Sequence, residues 1–317
     1  MASVPLWIGF VAGLVLLIVV DLIAFGRKPR SISFRRAAVW SAVWIAASLA
    51  FDLWIWRHSG AKPAIEFLSG YLVEKSLSVD NLFVFILIFQ YFSIQTARQH
   101  RALVWGIFGA LTLRGLLIAA GAVIINAFAW SLYILGAFLV YVALHLLFRK
   151  AKTVRMEANP VLRWLGKIVP TALEDASASF FVRREGRWLV TPMLLAVVAI
   201  ESADALFALD SIPAVFGITR DPFIVFSSNA CAVLGLRALY FVVAKSITQL
   251  RYLDTGVSLV LLFIGLKMLA GNWVDVPSSI SLAVIAFLLA GATVASLLDK
   301  RGPVKPEAKS TNMQGQA

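Results

Sequence analysis

Nine runs of apolar residues, each long enough to cross a bilayer, divide the chain at about 4–25, 36–56, 64–91, 102–125, 128–148, 191–217, 221–245, 254–272 and 277–298. Roughly 20 residues rising about 1.5 Å each span a hydrocarbon layer about 30 Å thick. Inside that layer every backbone N–H and C=O needs an internal partner, so such runs become helices. An all-α polytopic membrane protein is therefore expected. The composition agrees, because 60% hydrophobic and 15% charged residues over 317 positions could not cover a soluble domain. The net charge of +12 does not point to nucleic acid, since the basic residues sit in short segments between apolar runs.

Those basic residues set the expected topology. The first run has no positive charge ahead of it and is followed by Arg27, Lys28, Arg30, Arg35 and Arg36, the reverse of a cleaved signal peptide. With the N-terminus outside, the cytoplasmic segments and tail carry 22 of the 29 Lys and Arg, and the external segments only Arg57, Lys62 and Arg220. Lys75, Arg114, Arg237 and Lys267 fall within spans. The excess places the C-terminus in the cytoplasm.

Two spans carry acids. Glu74-Lys75-Ser76-Leu77-Ser78-Val79-Asp80-Asn81 and Glu201-Ser202-Ala203-Asp204-Ala205-Leu206-Phe207-Ala208-Leu209-Asp210-Ser211 put five carboxylates at membrane depth. On insertion scales an ionised group there costs at least about 2.5–3.5 kcal/mol, which makes ion or proton handling the first expectation. Aligning Glu74 with Asp204 also aligns Asp80 with Asp210 and Asn81 with Ser211. Farther on, Arg114 meets Arg237, and His145 meets Lys267. Spans 3 to 5 and 6 to 8 thus read as two three-helix repeats. Span 3 runs inward and span 6 outward, so the repeats are inverted, an arrangement suited to alternating access around a midplane site.

The organisation that follows is two N-terminal helices over 1–63, repeat 1 over 64–148, a cytoplasmic loop over 149–190 and repeat 2 over 191–272. A ninth helix over 273–299 and a disordered tail over 300–317 complete it. Within the loop, Asn159-Pro160 opens a short amphipathic helix, and Phe180-Phe181-Val182-Arg183 with Trp188-Leu189-Val190 reads as a hairpin. The basic residues of the loop are expected against anionic headgroups.

Glu74 and Asn81, like Asp204 and Ser211, are seven apart and share a helix face. Asp80 and Asp210 lie about 120° away on a regular helix, so joining the same site requires local unwinding, for which Ser211-Ile212-Pro213 supplies a breaker. Carboxylates with an amide and hydroxyls make an all-oxygen set suited to a hard divalent cation such as Mn2+, Mg2+ or Ca2+. If Arg114 and Arg237 each balance one of the five acids, and Lys75 another, two or three carboxylates remain for a doubly charged ion or two protons. Asp21 and Asp52 lie near span ends and read as interfacial. His145 reads as a packed or hydrogen-bonded histidine and Lys267 as snorkelling outward. The single cysteine, Cys231, permits no intramolecular disulfide or CxxC motif, and with no Gly-Asp pair the intramembrane aspartyl protease signature is missing.

The two acidic segments, the second continuing through Ile212-Pro213-Ala214, resemble the signature segments of the TerC family of integral membrane proteins, a relation covering roughly residues 5–275 and the Phe180 to Arg183 stretch. The resemblance implies a bacterial inner-membrane protein. Relatives include manganese exporters, proteins tied to tellurite resistance and plastid factors for membrane-protein assembly. The expectation is a transporter rather than an enzyme, with no cofactor, whose partners are the lipid bilayer, the exported cation and coupling protons. Glu74, Asp80, Asn81, Glu201, Asp204, Asp210 and Ser211 are its expected ligands, Glu201 serving as ligand or proton carrier, and Lys75, Arg114 and Arg237 balance charge. Assembly scaffold and tellurium oxyanion resistance stand as the alternatives.

Overall fold

The computed structural model describes residues 3–26, 33–128, 130–148, 179–184, 187–246, 252–271, 273–274 and 276–299. Among them ten helices and one hairpin follow in the order α1 (Val4–Gly26), α2 (Phe34–Ser59), α3 (Ala61–Tyr91), α4 (Thr96–Ala127), α5 (Ser131–Phe148), β1 (Phe181–Arg184), β2 (Arg187–Val190), α6 (Pro192–Phe216), α7 (Pro222–Val233), α8 (Leu236–Ser246), α9 (Leu253–Ala270) and α10 (Ser278–Leu298). Six of these, α1, α2, α4, α5, α6 and α10, are long and apolar enough to cross a membrane, and the pair α7–α8, bent by 43°, makes a seventh. α3 is interrupted by Lys62, Glu66, Glu74, Lys75 and Asp80, while α9 offers the shorter apolar stretch Thr255–Ala270. The nine runs read from the sequence coincide with these helices in position, and by length and composition six or seven qualify as spans.

Local chemistry explains where the elements begin. Thr191 precedes Pro192 at the first position of α6, and Asp221 precedes Pro222 in α7, where its Oδ1 accepts a hydrogen bond from the Phe223 N–H at 2.9 Å. The hairpin pairs antiparallel with Phe181 opposite Val190 and Arg184 opposite Arg187, as expected. It rests on the start of α4, where Trp105 meets the Phe180 ring edge-on and Arg101 lies over it at 5.3 Å. The amphipathic helix expected after Asn159 and the tail from residue 300 lie outside the described residues.

α3 and α6 cross the core antiparallel. Glu66 near the start of α3 meets Thr219 just beyond α6, whereas Phe85 and Phe89 near its end share a cluster with Met193 and Ala196 at the start of α6. α5 and α9 are likewise antiparallel, the backbones at Gly136 and Gly265 being in direct contact and Met268 lying against Gly136. α4 opposes α7–α8 in the same sense, with Gly115 beside Phe226 and Gln99 accepting from the Tyr240 hydroxyl at 3.0 Å.

The break expected at Ser211-Ile212-Pro213 is not there. α6 continues through Pro213 to Phe216, one backbone bond short at the proline, and the chain breaks instead at Leu234-Gly235 between α7 and α8. Gly235 has φ 78°, and a Cβ on it would fall 2.7 Å from the Trp44 ring. Left-handed backbone packed against an indole selects glycine at that point, whereas a helix within a bundle tolerates an internal proline.

Candidate functional site

Arg114 joins the two acidic motifs. Its Nη2 donates to Asp204 Oδ1 at 2.8 Å and its Nε to Asp204 Oδ2 at 3.0 Å, a two-pronged pair from α4 to α6. The remaining prong, Nη1, donates to Glu74 Oε1 on α3. All three residues are buried, Glu74 completely. Charge-assisted forks of this kind hold planar geometry strongly, and buried charges persist only when paired in this way.

Around the fork lie further oxygens. Glu74 Oε2, Glu201 Oε1 and Ser211 Oγ are buried atoms with no hydrogen-bond partner among the described residues. Glu201 stands one turn before Asp204, and its carboxylate lies so close to Gly109 of α4 that a side chain there would overlap it. Asn81 and Ser211 are buried along the faces of Glu74 and Asp204, as the seven-residue spacing requires. Asp210 is half-buried on α6, and the side chain of Asp80 lies outside the described residues. Among the described residues no group of three or more His, Cys, Asp and Glu is placed to hold a metal ion.

The other charged residues take places the sequence does not indicate. Arg237 is buried and donates through Nη2 to the Asp21 carboxylate at 2.5 Å and to the Asp21 backbone carbonyl at 2.6 Å, with His100 Nε2 3.3 Å from Nη1. Asp21, expected at the interface, is buried at this contact, and Asp52 is half-buried. Lys75 donates at 3.1 Å to the Ala232 carbonyl in the last turn of α7, a cation at a helix C-terminus rather than beside an acid. Lys267 donates to Ser281 Oγ at 2.9 Å, and His145 is exposed and stacked on Tyr141. Sequence reasoning does not single out Glu66, a buried carboxylate that falls within the run 64–91 eight residues before Glu74.

A family model described as the integral membrane protein TerC family matches residues 59–303, which include every residue of the Glu74, Arg114 and Asp204 fork. The chain belongs to the TerC family. It is 42% identical over 299 residues to an uncharacterised membrane protein of Myxococcus xanthus, covering 94% of each chain. Another TerC-like relative, from Escherichia coli K12, is named as a candidate membrane-bound redox modulator, Alx, and is 40% identical over 294 residues, 90% of this chain and 91% of Alx. A membrane protein of Rickettsia bellii is 34% identical over 93% of this chain and 97% of its own. No solved structure matches this TerC protein.

Proposed function

We propose that this TerC protein is a secondary transporter that exports a divalent metal cation, Mn2+, by alternating access, with proton antiport, from the bacterial inner membrane. The observation that carries the reading is the buried fork, in which a single arginine holds the acids of both motifs where oxygens remain to spare. Arg114 serves as the internal counter-ion while no cargo is bound. An arriving divalent cation competes for Glu74 and Asp204, and Arg114 withdraws. Glu201, Asn81 and Ser211 lie close along the same helices to complete an oxygen set, and Asp80 and Asp210 join as the helices shift.

The packing supports the inverted-repeat architecture that alternating access requires. α3 packs on α7 as α4 packs on α6, α9 touches α3 as α5 touches α6, and α5 and α9 pack on each other. Each element opposes its counterpart antiparallel, as units of opposite orientation would. With α3 and α9 counted as spans and α7–α8 as one, the bundle has nine, with the N-terminus outside. Moving two charges outward against about 100 mV costs about 4.6 kcal/mol, at about 2.3 per charge, so export needs a coupling ion. Protons compete for the same oxygens.

A second reading, membrane scaffold or assembly factor, is favoured by the same fork, because Arg114 already pairs with both Glu74 and Asp204. The oxyanion reading has less support, since Lys75, Arg114, Arg237 and Lys267 all donate to protein oxygens. As for the redox role in the name of Alx, one buried cysteine offers this chain no internal dithiol.

The test is Mn2+ flux into proteoliposomes, with and without an imposed pH gradient, for wild type, Glu74→Gln and Asp204→Asn. Gradient-dependent flux lost in both variants is expected. Folded protein that moves no divalent cation would transfer the assignment to the scaffold.

A further inference from the structure

Glu66 is a buried carboxylate on α3 whose described partners are all neutral. Its Oε2 accepts from Thr219 Oγ1 at 2.6 Å and its Oε1 from Ser278 Oγ at 3.4 Å, so the α6–α7 connection and the first turn of α10 converge on it. No ion pair of Glu66 is present among the described residues. A carboxylate has about four lone-pair sites, and two hydroxyls leave capacity unspent. The partners of Glu66 among the described residues bring no positive charge to it. Asp221 follows two residues after Thr219, and its backbone N–H donates to the same Thr219 Oγ1 at 3.3 Å.

Glu66 shares α3 with Glu74 of the central fork. Glu66 and Glu74 are separated by about 12 Å along α3. α7 runs beside this stretch and presents the buried Ser227, Ser228 and Asn229. Ser228 Oγ lies against Gly70, midway between the two acids, where a Cβ would come within 2.8 Å of it. Asn229 Nδ2 is buried with no hydrogen-bond partner among the described residues.

We infer that Glu66, with the hydroxyls of Thr219 and Ser278, forms a second station for a hard divalent cation, on α3 about two turns before Glu74 of the central fork, with Ser228 of α7 packed between them. This rests on the cation-transport reading. In the topology set by the basic residues the station lies toward the outside, where an exported ion arrives after leaving the centre.

The experiment is Mn2+ binding to the purified full chain, by equilibrium dialysis and electron paramagnetic resonance, for wild type, Glu66→Gln, Asp204→Asn and the double variant. Two classes of bound Mn2+ in wild type are expected, one lost in each single variant and both in the double. A single class lost in Asp204→Asn and untouched by Glu66→Gln overturns the second station and leaves the transport reading standing. A single class lost only in Glu66→Gln does the reverse, and no binding at all overturns both. Thr219→Val keeps the carboxylate and removes one hydroxyl ligand, so it must weaken the Glu66 class severalfold. Unchanged binding there overturns the station even if Glu66→Gln fails to fold.

Discussion

Arg114 on α4 and Arg237 on α8, the intramembrane arginines of the two repeats read from the sequence, are both buried, yet their described partners come from different parts of the chain. Arg114 spans the equivalent acids of the two motifs, Glu74 and Asp204. Arg237 reaches Asp21 on α1, a helix outside both repeats, immediately after the bend at Gly235. Sequence symmetry therefore coexists with a division of roles. One arginine ties together the acids of the two motifs, and the other fastens a peripheral helix to the half-span that follows the break.

The largest effect is expected of Arg114→Met, which leaves two buried carboxylates without their cation. Removing one partner of a buried pair costs about 3–5 kcal/mol, so a large fall in the thermal midpoint is expected. Adding Glu74→Gln and Asp204→Asn removes the uncompensated charges and should recover most of that loss. Flux measured beside stability separates the readings: a transporter regains stability in the triple variant without Mn2+ movement, whereas a scaffold moves no Mn2+ in any form, wild type included.

Asp21→Asn makes the matching test on the other arginine. Arg237 keeps the Asp21 backbone carbonyl and its contact with His100, so a loss of about 2–3 kcal/mol is expected, at the level of charged hydrogen bonds. Measured per folded molecule, Mn2+ flux should stay near wild type. Loss of flux from stable Asp21→Asn protein would mean that the second arginine also belongs to the transport centre.

Gly235→Ala tests the bend that separates the two regions. The left-handed backbone costs about 1–2 kcal/mol for a residue with a Cβ, and the overlap with Trp44 adds to it, so destabilisation of about 2 kcal/mol or more should appear in denaturant unfolding. Gly9→Ala is the internal control, because a Cβ there meets nothing within 4 Å and gains helix propensity.

Much of this arrangement is legible in the sequence, and the remainder is hidden for physical reasons. Hydropathy marks the positions of the described helices because long apolar runs form helices, and seven-residue spacing places Glu74 with Asn81 and Asp204 with Ser211 because helical geometry is local. The partner of Arg237 is not local. Asp21 lies 216 positions away, and only the fold brings the two together. The bend shows the other limit, since Pro213 is the stronger breaker by local rules, yet Gly235 carries the break because Trp44 from α2 packs against it. Glu66 resembles an interfacial acid by its place near the start of a run, and its burial comes from Thr219 and Ser278, far along the chain.

The smallest expected effect on stability falls beside the fork, at Glu201. In Gly109→Ala the new methyl overlaps the carboxylate of Glu201, the far end of a flexible side chain that can swing aside, so the loss should be about 1 kcal/mol, the low end for overpacking. Gly106→Ala, three residues earlier on α4, presses on Ile200 at 3.2 Å and stays 3.9 Å from the Glu201 carboxylate. The two variants should therefore lose similar stability and differ in transport. If Glu201 is a ligand or proton carrier beside Asp204, Gly109→Ala loses most Mn2+ flux or its dependence on the pH gradient, while Gly106→Ala keeps both. Equal flux in the two would place Glu201 outside the transport step and leave the oxygen set to Glu74, Asp204 and the polar residues that share their faces.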